Sequence, residues 1–298
     1  MKKNTNLLSG GTYSTAVGLI LINLMAAQYA NAGYVPLAFI GLHDYDLPVN
    51  FEPFNAIVEY AYVQNTNERF DSNGDKVDTS SLTEVASFTK YAHFFTVDAL
   101  PDVGLGFEFV PTFVSVEGDE IRVSGIGDPL VGIAGWMKPN ENSTLGIQSY
   151  ISIPVGDNDV SANNWGSFTQ LFAAYKIDKI SLDAHLGAMF RTTTRVTGEP
   201  NIDAGNTYHA SVRVAYRVND IFEPFIGANY QNTKKSTYEN SGTTVDILNS
   251  NSNEVTLGAG TMAYLSSNMH ASLWYDVGLD GENTSVTNAI FARFSYVW

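Results

Sequence analysis

Twelve candidate strands recur at regular spacing through this chain, at 54–66, 84–97, 105–116, 125–137, 144–153, 165–176, 180–191, 207–218, 222–231, 254–265, 269–279 and 287–298, and several of them alternate apolar with polar residues. Successive side chains of an extended strand point to opposite faces, so an alternating stretch reads as a strand with one apolar face. The alternation is cleanest where Ile180, Leu182, Ala184, Leu186, Ala188 and Phe190 interleave with Ser181, Asp183, His185, Gly187, Met189 and Arg191. A half-buried soluble sheet alternates in the same way, so length has to decide. Strands of soluble proteins average about 5–6 residues, whereas a tilted strand needs about 9–11 to cross the hydrocarbon of a bilayer. Nearly all of these stretches have the longer dimension. Short connections at 98–104, 138–143, 177–179, 219–221 and 266–268 alternate with long polar ones at 67–83, 154–164, 192–206 and 232–253. Only 117–124 and 280–286 are brief on the second side. That rhythm predicts an all-β fold: a transmembrane, antiparallel, up-and-down β-barrel of about twelve strands, with both termini periplasmic.

The two ends of the chain agree with this expectation. Ile290, Ala292, Phe294, Tyr296 and Trp298 share one face of the last strand, and Phe291, Arg293, Ser295 and Val297 share the other. Phe294, Tyr296 and Trp298 read as an assembly signal for the outer-membrane barrel assembly machinery. At the other end, Lys2 and Lys3 precede an apolar run at 16–27, and Ala30-Asn31-Ala32 offers a small-residue cleavage site. This predicts a cleaved signal peptide over residues 1–32, because the apolar run is too short to span a bilayer. The expected location is the outer membrane of a Gram-negative bacterium, with membrane lipid and lipopolysaccharide against the outer face.

Composition narrows the function. The formal net charge is −15, which argues against a nucleic-acid partner, since phosphate binding needs a basic surface. No cysteine is present, so disulfides, thiolate metal sites and a lipid-modified N-terminal cysteine are excluded. If the apolar register faces lipid, the other register lines the lumen. It carries Asp183, His185, Arg191, His209, Arg213, Arg217, Glu223, Asn229, Gln231, Glu254, Asp276 and Arg293, a mixture of signs unlike an ion-selecting ring. The same register is read as holding Trp136, Tyr150, Tyr175, Phe225, Tyr264, Trp274 and Phe291. Aromatic rings with a few polar groups fit a small apolar or aromatic ligand better than a water-filled ion pore. The candidate ligand path is therefore Trp136, Tyr150, Tyr175, Asp183, His185, His209, Arg213, Arg217, Tyr264, Trp274 and Arg293. A packed salt-bridge network that seals the lumen is the plainer alternative.

Other chemistry is poorly supported. Residues 33–53 do not alternate, and are expected to fold into the lumen as a plug or to lie on the periplasmic rim. His43, Asp44 and Asp46 in that segment read as a solvated turn more readily than as metal ligands. Asp71–Asp78 has calcium-loop spacing, but Gly74 falls fourth and Leu82 twelfth, so an Asn-Gly turn is the better reading. Ser181, Asp183 and His185 lie in parallel on one strand face and form no relay, so no catalytic residues, metal or cofactor are assigned.

Several stretches resemble a known family. They are Ser124–Gly132 (SGIGDPLVG), Ile151–Gly156 (ISIPVG), Asn164–Phe168 (NWGSF), Phe70–Gly74 (FDSNG) and Tyr208–Arg217 (YHASVRVAYR). In order and spacing they are similar to the outer-membrane family named for the meta-pathway (MetA-pathway) of phenol degradation, over roughly residues 54–298. The resemblance implies a barrel that admits hydrophobic or aromatic compounds passively. A general small-solute porin and a structural or adhesive barrel with a sealed lumen remain the alternatives.

Overall fold

The computed structural model describes residues 41–119, 121–195, 201–240 and 243–298. The expected leader at 1–32, and residues 33–40 of the segment that follows it, lie outside the described residues. Every named element among the described residues is a strand. In chain order the barrel strands are Phe54–Phe70, Lys76–Val97, Leu100–Val110 continued by Thr112–Gly118, Arg122–Ile126 continued by Leu130–Asn140, Ser143–Ser152 and Gly166–Ile177. The remaining six are Ile180–Arg191, Thr207–Tyr216, Phe222–Thr233, Ser252–Tyr264, Met269–Glu282 and Asn288–Val297. Each pairs antiparallel with its sequence neighbours, and the first pairs with the last, Ala56 opposite Val297 through to Gln64 opposite Ala289. This pairing closes the barrel, and the loop-side stretch Arg122–Ile126 of the fourth strand pairs on one side alone.

The third strand is interrupted at Pro111 and the fourth at Gly127, Asp128 and Pro129, directly across from it. Both prolines lack the N–H that an unbroken ladder needs. The tight turn at Asp178 works because an aspartate tolerates the left-handed backbone it adopts there, φ 50°.

The long connections contain more strand than the polar composition predicts. Only Asp71–Asp75 forms a turn within 67–83, because the first two strands run on past the apolar band as a polar hairpin. The outward side chains there, Asn65, Asn67 and Arg69, are polar and exposed, while Thr66 and Phe70 on the other side stay buried. The connections at 192–206 and 232–253 likewise contribute Ile202–Asp203, Thr237–Asn240 and Thr243–Asp246 to a small separate sheet.

Outward-facing Ile57, Phe107, Ile133, Ile147, Leu171, Leu186, Ile226 and Leu273 form an apolar belt. Exposed Tyr91, Tyr216, Phe222, Tyr296 and Trp298 ring its terminal end, where the first strand starts and the last one finishes. Trp165, Phe190, Tyr208 and Tyr230 ring the opposite end. Two aromatic girdles around an apolar band mark a membrane-spanning barrel of the outer-membrane type. Tyr175 belongs to the terminal girdle, not to the lumen: it points outward and is 45% exposed. Its strand has apolar residues on both faces, Phe168, Phe172 and Ala174 inside and Leu171 and Ala173 outside, so the sequence pattern does not fix the register.

The hydrophobic core of the protein is its lumen. One cluster joins Leu42, Tyr60, Tyr62, Phe88, Tyr150, Phe225, Trp274 and Phe291, and a second joins Tyr45, Phe94, Trp136 and Phe172.

Candidate functional site

Residues 41–53 enter the barrel from its terminal end and occupy that half of the lumen. Their contacts are specific to single wall residues. The Trp136 indole donates to the Pro48 carbonyl at 2.6 Å, and Phe51 stacks on the same ring. Lys138 pairs with Asp46 at 3.1 Å. Deeper in, the Tyr45 ring stacks on Phe172 at 4.4 Å, its hydroxyl accepts from Gln170 at 2.9 Å, and His185 Nδ1 lies 3.1 Å from that hydroxyl. Burial pushes the Tyr45 phenol well above its ordinary range, with Asp44 beside it adding to the effect. Asp44 pairs with Arg293 and accepts from the Tyr60 hydroxyl at 2.9 Å. His43 Nε2 sits 3.0 Å from Glu223, which also accepts from Ser181 and Tyr264 and lies 3.7 Å from Arg217.

His43, Asp44 and Asp46 thus diverge to four different wall strands instead of converging on one point. Among the described residues no group of three His, Cys, Asp or Glu side chains is placed to hold a metal.

Above this segment lies a cavity of about 330 Å³ in the loop-side half of the barrel. Tyr45, Asp44 and Leu47 form its floor. Its wall is mainly aromatic and aliphatic, from Tyr60, Tyr62, Ala86, Phe88, Val110, Val114, Val116, Leu130, Phe168 and Met189. Charged and polar side chains interrupt this wall, most of them already paired. Glu108 accepts from the Tyr150 hydroxyl and, at 2.8 Å, from Gln148, with Lys90 4.0 Å away. Arg191 donates to the Gly205 carbonyl and the Thr207 hydroxyl. Asp128 holds the neighbouring loop by accepting from the backbone N–H groups of Gly156 and Ala162 and from the Ser161 hydroxyl.

This last contact joins two of the sequence stretches, SGIGDPLVG and ISIPVG. A Cβ on Gly156 would come within 2.7 Å of the Gly127 backbone, so only glycine lets the two segments meet.

Of the eleven candidate path residues, Trp136, Tyr150, Asp183, His185, His209, Arg213, Trp274 and Arg293 are buried in the lumen. Tyr264 and Arg217 meet at the terminal end, with the guanidinium 3.5 Å from the ring centre. Trp136 and Arg293 touch residues 41–53, and Tyr150 lines the cavity. Trp274 stacks on Phe291 and packs in the wall cluster, away from the cavity lining.

On the first six strands the sequence pattern marks Trp136 and Tyr150 as lumen residues but not Tyr60, Tyr62, Glu84, Lys90, Glu108, Gln148 and Gln170. Their strands carry apolar residues on both faces. Parity was the available signal, since Glu84, Lys90, Glu108, Gln148 and Gln170 all share the face opposite the outward-pointing aliphatic residues.

A family model described as "Putative MetA-pathway of phenol degradation" matches residues 49–294. None of the curated proteins matches the chain. The fold is similar to that of an outer membrane channel from Pseudomonas putida F1, with TM-score 0.75 and 17% identity over 87% of this chain and 100% of that one. It is less similar to the transport unit of the autotransporter AIDA-I from Escherichia coli, with TM-score 0.51 and 12% identity over 91% and 97% of the two chains. The β domain of the Bordetella autotransporter BrkA gives TM-score 0.51 and 10% identity over 81% and 98%.

Proposed function

The chain belongs to the MetA-pathway of phenol degradation family, and from that premise we propose that it is a passive outer-membrane channel for small hydrophobic or aromatic compounds. One observation carries this reading: the cavity above residues 41–53 is walled mainly by aromatic and aliphatic side chains, and polar groups on it such as Glu108, Gln148 and Arg191 are tied to protein partners. A general porin needs a wetted path, and here the terminal half of the lumen is packed with Tyr45, Leu47 and Phe51 against the wall. In this reading both termini face the periplasm, residues 33–53 act as a plug, and ligand enters from the loop side and rests in the cavity. The plug then shifts to release ligand inward. Its contacts with Lys138, Arg293, Glu223 and Trp136 make such a shift an exchange of polar partners at the lumen wall. The preprotein is exported through its cleaved signal peptide and inserted by the barrel assembly machinery, with lipopolysaccharide against the outer leaflet half of the belt. Nothing in passive entry calls for catalysis or a cofactor.

The test is uptake by a deletion strain, complemented or not, of a labelled panel of monoaromatics, alkanes and sugars. Slower entry of the apolar compounds alone is the expected result. Unchanged apolar entry with reduced sugar entry would make the protein a porin. No change for any solute would leave a structural barrel.

A further inference from the structure

We infer that Glu84 is the specificity-determining residue of the cavity, and that it selects small aromatic molecules bearing a hydrogen-bond donor, a hydroxyl or an amine. Unsubstituted aromatic hydrocarbons and aromatic carboxylates are disfavoured. The inference rests on the proposed channel reading and names the ligand class of the same cavity.

Glu84 is only 7% exposed and lines the cavity, and among the described residues its carboxylate has no hydrogen-bond or ion-pair partner. Its surroundings account for this. Gln64 and Val116 lie across from it on the neighbouring strands, and Leu82 and Ala86 flank it on its own lumen face. Gln64 is already engaged, accepting from the Tyr62 hydroxyl at 2.5 Å and donating to Thr66 at 3.0 Å. The other buried carboxylates on the cavity are satisfied: Glu108 by Tyr150 and Gln148, and Asp44 by Arg293 and Tyr60.

A carboxyl group set into the wall of an apolar cavity without a protein partner opposes folding, and its opening onto the cavity gives that cost a use. A ligand O–H or N–H pointed at Glu84 supplies the missing bond while the ligand ring meets the apolar wall. A hydrocarbon leaves the carboxylate unsatisfied, and a ligand carboxylate is repelled by it. Rejection of an analogue that leaves a buried polar group unpaired is the stronger form of molecular discrimination.

The experiment uses the full mature chain in proteoliposomes, with flux of phenol, benzylamine, toluene and benzoate through the wild type, Glu84→Gln and Glu84→Leu. In the wild type, phenol and benzylamine are expected to exceed toluene and benzoate by about tenfold, the cost of leaving one buried polar group unpaired. Glu84→Leu erases that preference, with phenol and benzylamine flux falling and toluene flux rising toward a common value. Glu84→Gln retains the phenol preference through its amide oxygen and loses much of that for benzylamine. Loss of only one preference in Glu84→Leu assigns the donor to that source, hydroxyl or amine. The leucine variant should also unfold at a higher temperature, because an unpaired buried carboxylate is gone.

Unchanged flux ratios in Glu84→Leu, or an equal fall for all four solutes, would overturn the inference and leave the channel reading standing. Calorimetric binding of phenol to the purified barrel tests Glu84 apart from passage. If wild-type vesicles pass no aromatic solute, the channel reading fails, and phenol binding that depends on Glu84 still supports the assignment.

Discussion

At the scale of single residues, the barrel shows how the cost of a polar group is set by its partners and not by the face it occupies. Glu59 lies on the lipid-facing side of the first strand, beside outward-facing Phe294 on the last strand. A bare carboxylate there is costly, and two hydroxyls meet it: Ser87 and Thr89 each donate at 2.5 Å. The double variant Ser87→Ala with Thr89→Ala removes both bonds and leaves the acceptor desolvated. It is expected to lower barrel stability by about 2–4 kcal/mol, read by urea titration in detergent or lipid, whereas Glu59→Leu in the same background recovers most of the loss. Asp71 is the contrasting exposed case. Its carboxylate accepts from the backbone N–H groups of Asn73 and Asp75, which holds its pKa below the ordinary value. Because the folded pKa is depressed, the stabilisation is present above the ordinary carboxylate pKa and fades as pH falls through the lowered one. An acid titration of the Asn73 and Asp75 amide resonances should show that order, with little change in the barrel.

At the scale of elements, the segment at 41–53 is held by charges that would be stranded if it left. Arg293 is buried on the last strand and Asp44 is its ion-pair partner. Asp44→Ala leaves a buried guanidinium uncompensated, which is expected to cost about 3–5 kcal/mol if the segment stays seated. Displacement of the segment is the cheaper response. The variant should therefore show faster proteolysis within 41–53 and raised single-channel conductance, and Arg293→Met should reseat it by removing the orphaned charge. Deleting 41–53 should raise conductance further with the barrel still heat-modifiable on gels.

The same scale shows what was legible in the sequence. Strands seven to twelve alternate between aliphatic and charged residues, so Asp183, His185, Arg213 and Arg293 were readable as lumen residues from parity alone. Strands one to six, which bear most of the cavity, alternate between two kinds of apolar residue, so Tyr60 and Tyr62 carried no such mark and Tyr175 was read to the wrong face. Residues 41–53 make contacts across the barrel with residues about 90 to 250 positions away, and no local pattern encodes pairings of that separation.

At the scale of the whole molecule, closure and filling are linked. Twelve strands enclose more space than side chains alone fill in an eight-stranded barrel. Here the terminal half of that space is taken by the chain's own N-terminal segment, and the loop-side half is left as the cavity. A structural barrel and a channel differ in what happens when that remaining space is filled. Ala86 is buried on the cavity wall, across from Tyr62 and Val114 on the adjacent strands, and its side chain contributes nothing to the outer belt. Ala86→Phe adds a ring into the void at little packing cost, since the space is already empty, and is expected to change the unfolding midpoint only slightly. If the cavity is the resting place of the solute, apolar uptake through this variant should fall by about tenfold or more while assembly and heat-modifiability match the wild type, because occupancy of a single narrow path is exclusive. An unaltered uptake rate with the ring in place would mean that solutes take another route, and the void would then be only the space that a closed twelve-stranded wall cannot avoid enclosing.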